Sequence, residues 1–284
     1  MKVQDHRLFP AAMTIAGSDS GGGAGIQADL RTFTFFRVFG CSAITALTSQ
    51  NPLCVAGIEP VRASAVELQI RTVRKELEIS AIKTGMLFSR PIIMAVARAL
   101  TGFRGELVVD PVMISTSGKR LMQDSAVAAI RKHILPLATW ITPNLPEAEA
   151  ISGMKIRNAE DCKRAAEYCA GCWNCSVIIK GGHSDDPENA ADLVYHQGEF
   201  RLFRSKRFPV RKNSDHGTGC TFSAALTALL AKGVPWDRAI LRAKALISAS
   251  LAESVKLSDS GLYAMFPPET PLEKYEKMIS CGKA

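Results

Sequence analysis

This sequence predicts an α/β fold built on a central, mostly parallel sheet, and three observations predict it. Short apolar runs alternate with longer helical patterns along most of the chain, as βαβ units require. Six of the apolar runs end in polar residues and glycines, the character of strand ends at a ligand-binding edge. One stretch, 191–203, breaks the alternation: two strands flank Gln197-Gly198 and read as a hairpin at the sheet edge.

The elements follow in order. Strand 11–16 ends in Gly17-Ser18-Asp19 and leads to a helix over 24–36. Strand 42–47 ends in Thr48-Ser49-Gln50-Asn51, before a helix over 64–76. Strand 81–84 ends in Lys83-Thr84-Gly85-Met86, before a helix over 89–100. Strand 106–109 runs into Asp110-Pro111-Val112-Met113, then a helix over 124–134. Strand 140–142 ends in Thr142-Pro143-Asn144, before helices 145–152 and 159–169. Strand 176–180 ends in Lys180-Gly181-Gly182-His183. The hairpin strands are 191–195 and 199–203, and helices 220–231 and 236–253 close the pattern. No repeat, low-complexity tract or linker divides the chain, so 1–284 is expected to be one domain with its core in 12–255. The polar, irregular stretch from Leu257 onward is expected to pack poorly.

With 284 residues, 47% of them hydrophobic and 22% charged, the chain has ample material for a core. It has no apolar run of membrane-spanning length, and residues 1–7 lack the apolar segment of a signal peptide. The net charge of +8 suggests anionic ligands. The basic residues are scattered without interleaved aromatics, so neither nucleic acid nor membrane is an expected partner. Eight cysteines without a secretion signal point to free thiols in a reducing cytoplasm. Cys169, Cys172 and Cys175 share a C-x2-C-x2-C spacing that zinc and iron–sulfur sites use. Yet Cys162 and Cys169 lie two turns apart on a helical run, and the ferredoxin-type fourth cysteine with its proline is missing. Small apolar packing is the reading for these four.

The most informative segment is His216-Gly217-Thr218-Gly219-Cys220-Thr221, which runs straight into an apolar helix. Unpaired N–H groups at that helix start attract phosphate or a developing anion. A cysteine in the first turn would feel the helix dipole, which favours thiolate. The segment reads as an anion cradle with a proton acceptor or nucleophile built in; the plainer reading is a glycine loop with an inert, buried cysteine. Asp19-Ser20-Gly21-Gly22-Gly23-Ala24-Gly25 matches neither a dinucleotide fingerprint nor a Walker A loop, so it reads as a close backbone approach to a small substrate or as a flexible turn. Asp29, taken alone, is best read as part of an exposed helix face. Asp110 and Glu147, carboxylates at neighbouring strand ends, suit Mg²⁺; Glu149 reads as solvated. Lys180, closing an apolar strand, can reach a phosphate.

In series these segments resemble the ribokinase-like kinase superfamily, most closely its hydroxymethylpyrimidine/phosphomethylpyrimidine kinase branch of thiamine biosynthesis. Thr14-Ile15-Ala16-Gly17-Ser18-Asp19, Gly25-Ile26-Gln27-Ala28-Asp29-Leu30, Thr45-Ala46-Leu47-Thr48-Ser49-Gln50-Asn51 and Lys83-Thr84-Gly85-Met86-Leu87 carry the first half of it. Asp110-Pro111-Val112-Met113, Thr142-Pro143-Asn144-Leu145-Pro146-Glu147, Lys180-Gly181-Gly182-His183 and the Cys220 segment complete it, in the family's order. The resemblance implies a three-layer α/β/α fold and ATP with Mg²⁺. It implies pyrimidine contacts from Gly17, Asp29, Gln50, Met86 and Val112. It implies ATP contacts from Asn144, Lys180, Thr218 and Gly219, and metal contacts from Asp110 and Glu147. Cys220 takes the place where most of the superfamily carries an aspartate base, with Gly217, Thr218 and Gly219 as the catalytic cradle. By analogy, the resemblance also implies a homodimer.

Three departures from the family pattern fall in loops. They are Ser115-Thr116-Ser117-Gly118-Lys119, Pro52-Leu53-Cys54 and Lys212-Asn213-Ser214-Asp215. Three other readings stand beside the pyrimidine kinase. One is a pyridoxal kinase of similar design, one a cysteine-nucleophile enzyme pairing Cys220 with His216 or His183, and one a non-catalytic binder.

Overall fold

The computed structural model describes residues 8–113, 124–181 and 186–284. The first half comprises β1 (Ala11–Asp19), α1 (Gly25–Phe35), β2 (Phe39–Asn51), β3 (Cys54–Pro60), α2 (Ala63–Glu76), β4 (Ile79–Thr84), α3 (Arg90–Leu100), β5 (Glu106–Val109) and α4 (Asp124–His133). The second comprises β6 (Trp140–Ile141), α5 (Leu145–Ser152), α6 (Ala159–Trp173), β7 (Ser176–Ile179), β8 (Asn189–His196), β9 (Glu199–Lys206), α7 (Thr218–Ala231) and α8 (Trp236–Ala252). Short β10 (Val255–Lys256), β11 (Tyr263–Ala264), α9 (Leu272–Glu276) and β12 (Ser280–Lys283) end the chain.

Ten of these strands form one sheet in the order β12-β9-β8-β7-β6-β5-β4-β1-β2-β3. The six strands from β7 to β2 are parallel, while β3, β8, β9 and β12 are antiparallel additions. Side chains alternate across the sheet, so each strand feeds two cores. Leu107 and Val109 face a core built with α2 to α6, whereas Val108 faces one built with α1, α7, α8 and α9. In β7, Val177 and Ile179 lie on the first side and Ile178 on the second. The result is the three-layer α/β/α arrangement, with every parallel strand delivering its carboxyl end to one edge.

Three expectations need correction. Strand β3 was not visible as a pattern. Asn51 Oδ1 accepts from the Leu53 and Cys54 N–H groups at 2.8 and 3.0 Å, a local turn that sends the chain back along β2. The hairpin of β8 and β9 forms at Gln197 and Gly198, both with positive φ; however, β12 pairs outside it, so it is not the outermost element. The C-terminal stretch is not poorly packed. Leu272, Tyr275 and Ile279 are buried in the α7–α8 core, and Tyr275 donates to Glu253 at 3.0 Å. A single apolar stripe in a polar run sufficed for that docking. Ser115-Thr116-Ser117-Gly118-Lys119, Gly182 and His183 lie outside the described residues.

Candidate active site

A cavity of about 1260 Å³ runs along the carboxyl ends of the parallel strands. The start of α7, Gly217 to Cys220, lines it. Gly217, with φ +86, caps that helix without any side-chain cap bond. A β-carbon there would collide with the Gly23 carbonyl oxygen, so the two glycine loops are in close contact. Helix α7 is apolar on all sides and is buried between the sheet and α8. Its position is therefore set by the core rather than frayed, and while the Thr218 N–H donates to the Asp215 carbonyl at 3.2 Å, Gly217, Gly219 and Cys220 line the cavity.

Directly below, Lys180 Nζ donates to Asp110 Oδ1 at 2.9 Å. Ser223 of α7 donates to the other Asp110 oxygen at 3.1 Å. Gly219 sits over this pair: a β-carbon there would lie 3.4 Å from Lys180 Nζ and 3.8 Å from Asp110 Oδ2. Burial lowers the Lys180 ammonium, but Asp110 and then Glu147 hold it above its ordinary value. Asn144 and Glu147 form a reciprocal capping box at α5, each side chain accepting the other's backbone N–H at 2.9 Å. Burial first, and then the Asp110 charge, push Glu147 up to about 7 against the pull of Lys180.

No group of three or more His, Cys, Asp or Glu is placed to hold a metal among the described residues. Asp110 and Glu147 are nonetheless an all-oxygen pair beside a site for phosphates. That donor set fits Mg²⁺, which keeps several waters and takes one or two carboxylates plus phosphate oxygens. The clustered cysteines are free thiols: Cys169 is buried, Cys162 and Cys175 pack against the core, and Cys172 is exposed.

Gly17, Gln50, Met86 and Val112 also line the cavity. Met86 packs with Ala46, Val112 and Ile58, and its carbonyl accepts from Thr45 at 2.6 Å. Two apolar side chains and one amide thus surround a slot suited to a flat polar ring. His216 stands at its rim, 2.9 Å from Asp19 Oδ2 and 3.2 Å from Gln50 Nε2.

Every predicted site residue except Asp29 lines the cavity. Asp29 is fully buried, neither on an exposed face nor on the cavity lining. It accepts from Lys83 at 2.7 Å and from Thr14 at 2.6 Å, because α1 packs flat on the sheet and turns this face inward. The expected lowering of the Cys220 pKa is also corrected. Burial pushes the thiol up to about 11, outweighing Lys83 and the Gly25 N–H, which pull the other way. A thiol protonated near neutrality does not suit a cysteine nucleophile.

Sequence reasoning missed the roles of Asp19 and Lys83, although both stand in strand endings that were singled out. It also missed Asp192 and Lys244, a buried pair at 2.8 Å on the cavity wall, and Ile247, Ser248 and Leu251 of α8. Those α8 residues carry no local signal, since an ordinary amphipathic helix supplies them.

An α/β/α sandwich with an acid–lysine pair beneath a glycine-opened helix places the protein among the ribokinase-like small-molecule kinases. Solved structures bear this out. A Staphylococcus aureus pyridoxal kinase in complex with pyridoxal superposes with TM-score 0.84 at 31% identity, covering 98% of this chain and 100% of the other. A phosphomethylpyrimidine kinase from Clostridium difficile gives TM-score 0.74 at 39% identity, covering 84% and 97%. The Bacillus subtilis hydroxymethylpyrimidine/phosphomethylpyrimidine kinase is 46% identical over 225 residues, 78% of this chain and 82% of its own. The family profile described as phosphomethylpyrimidine kinase matches residues 19–263. The chain belongs to the phosphomethylpyrimidine kinase family.

Proposed function

We propose that this protein transfers the γ-phosphoryl group of ATP to the hydroxymethyl oxygen of 4-amino-5-hydroxymethyl-2-methylpyrimidine. A second turnover phosphorylates the monophosphate to the diphosphate, in thiamine biosynthesis. In each, a new O–P bond forms as the bond from Pγ to the ADP oxygen breaks; in the first, the acceptor hydroxyl's proton passes to an oxygen of the transferred phosphoryl group and from there to solvent. Positioning and charge stabilisation dominate such a loose transition state. The observation that carries this reading is the meeting of Gly219 with Lys180 and Asp110 at the start of α7.

Met86 and Val112 grip the ring, and Gln50 reads its polar edge. The N–H groups of Gly217, Gly219 and Cys220 hold the equatorial phosphoryl oxygens, and Lys180 neutralises charge as it builds. Asn144, already engaged as the α5 cap, borders the phosphates, with Thr218 and Gly219 opposite. Asp110 and Glu147 would hold Mg²⁺, which when bound offsets phosphate charge. Cys220, protonated at neutral pH, orients the acceptor hydroxyl rather than standing ready as thiolate. Asp29 acts at one remove, as the counter-ion of Lys83 beneath the cavity floor. Eight free cysteines support a cytoplasmic setting, and the protein is taken to be a homodimer by analogy with its family.

A second reading, pyridoxal phosphorylation, is favoured by the likeness to the pyridoxal-bound Staphylococcus aureus enzyme across nearly the whole chain. A coupled ADP-release assay with hydroxymethylpyrimidine, its phosphate and pyridoxal, on wild type and Cys220→Ala, separates the two. The first reading expects the pyrimidines to be preferred. Turnover of pyridoxal alone overturns it.

A further inference from the structure

At the rim of the ring slot, Asp19, His216 and Gln50 meet from three segments far apart in sequence. Asp19 ends β1, Gln50 lies near the end of β2, and His216 opens the turn into α7. Asp19 is fully engaged. Its Oδ1 accepts the Gly21 N–H at 2.8 Å, and its Oδ2 accepts the Ala24 N–H at 2.8 Å and faces His216 Nε2 at 2.9 Å. The Gln50 backbone is pinned as well: Ser20 Oγ donates to its carbonyl at 2.7 Å and accepts its N–H at 2.8 Å. A β-carbon at Gly23 would run into the His216 ring edge, so the glycine loop holds the imidazole in place. What stays free to turn is the Gln50 amide.

One nitrogen cannot serve both neighbours in the same way. Asp19 is a carboxylate: burial would raise its pKa, but His216 and the Ala24 and Gly21 N–H groups outweigh burial and hold it below its ordinary value. An ionised carboxylate only accepts, so His216 Nε2 carries the proton. A Gln50 NH₂ facing that N–H sets donor against donor at 3.2 Å. Turning the amide over lets Oε1 share the His216 proton and sends the NH₂ into the cavity, which Gln50 lines.

We propose that His216, held by Asp19, is the positioning residue that locks the Gln50 amide with its NH₂ toward the substrate, and is therefore a determinant of which ring is accepted. This rests on the reading that Gln50 faces the ring. A ring presenting an acceptor nitrogen there gains a hydrogen bond. A ring presenting a donor leaves a buried donor unpaired and is rejected. The geometry makes the choice before any ligand arrives.

Two measurements test it. In ligand-free protein with ¹⁵N-labelled histidine, His216 should show a protonated Nε2; a bare Nε2 overturns the proposal. In the ADP assay, His216→Leu should raise KM for hydroxymethylpyrimidine about tenfold and shift the pyrimidine-to-pyridoxal ratio of kcat/KM by a similar factor, with KM for ATP within about twofold. His216→Gln, whose amide N–H can reach Asp19, should restore the ratio. If both ring substrates and ATP suffer together in both variants, His216 is merely structural and the proposal fails. If His216→Leu does not fold, the ¹⁵N spectrum and His216→Gln decide. If wild type phosphorylates neither ring while Nε2 is protonated, the assigned reaction falls and the specificity role with it, but the lock stands.

Discussion

Lys83 Nζ donates to Asp29 Oδ1 at 2.7 Å, and neither side chain has any exposed surface. Burial would lower the Lys83 pKa, yet Asp29 holds it well above its ordinary value. Removing one partner of such a pair leaves an uncompensated buried charge. Lys83→Met should therefore destabilise the fold by about 3–5 kcal/mol in guanidinium unfolding. Adding Asp29→Leu to Lys83→Met should recover much of that loss. Strictly additive losses would show that the two side chains do not act as a pair.

Cys220 supplies a second prediction. With its thiol pushed up to about 11, iodoacetamide at pH 7.5 should label it far more slowly than the exposed Cys54, Cys172 and Cys281. Labelling should accelerate only as the pH approaches 11. Peptide mass spectrometry reads this directly. Rapid labelling at pH 7.5 would restore the thiolate base.

Two glycines in one turn should behave differently. Gly217→Ala puts a side chain at φ +86 against a backbone oxygen that cannot move away. A loss of at least about 1–3 kcal/mol is expected, from strain alone. Gly219→Ala meets only side-chain atoms at ordinary contact distance, Lys180 Nζ at 3.4 Å and Asp110 Oδ2 at 3.8 Å. It should fold normally while kcat falls, because the added methyl occupies space above Lys180 and Asp110 where the phosphoryl group must come. Circular dichroism melts beside the ADP assay compare them, and equal melting losses in both would contradict the contrast.

Asp19 makes stability depend on pH. Its pKa in the folded state lies below the ordinary 3.8, so in the unfolded chain it takes up its proton first as pH falls. The stabilisation is fully present above the unfolded value and is lost as pH drops through the folded one. Asp19→Asn should thus be less stable than wild type at pH 7, and the gap should narrow below about pH 3.8. A gap that is constant down to pH 2 would remove Asp19 as its source.

The C-terminal stripe predicts a stability effect remote from the site. Tyr275→Ala empties a buried position against α8 and removes the hydroxyl that donates to Glu253 Oε1. Its cost should be of order 3–5 kcal/mol, by comparison with other large-to-small aromatic truncations. A melting temperature within a degree of wild type would mean that the docking contributes little.

Much of this protein was legible as sequence, because its signals are local. A run such as Leu107-Val108-Val109 declares a buried strand by period, and the polar residue that follows, Asp110, declares a strand end at the binding edge. Gly217 and Gly219 before an apolar run declare a helix start aimed at an anion. Each of these depends only on neighbours in the chain, and the structure keeps them where the pattern put them.

Tertiary structure decided what depends on distant neighbours. Nothing near Asp29 in sequence reveals that Lys83, on a strand far along the chain, meets it at 2.7 Å out of reach of solvent. Nothing near Cys220 reveals that burial outweighs the helix start in setting its proton affinity. Strand β3 and the docked C-terminus form because Asn51 closes a turn and because three apolar side chains pack into the α7–α8 core. The sequence by itself determined the layers and the residues at their binding edge, since both follow from short-range periodicity and turn chemistry. The charge states and the partners of those residues came only with the fold, because electrostatics and burial act through space and not along the chain.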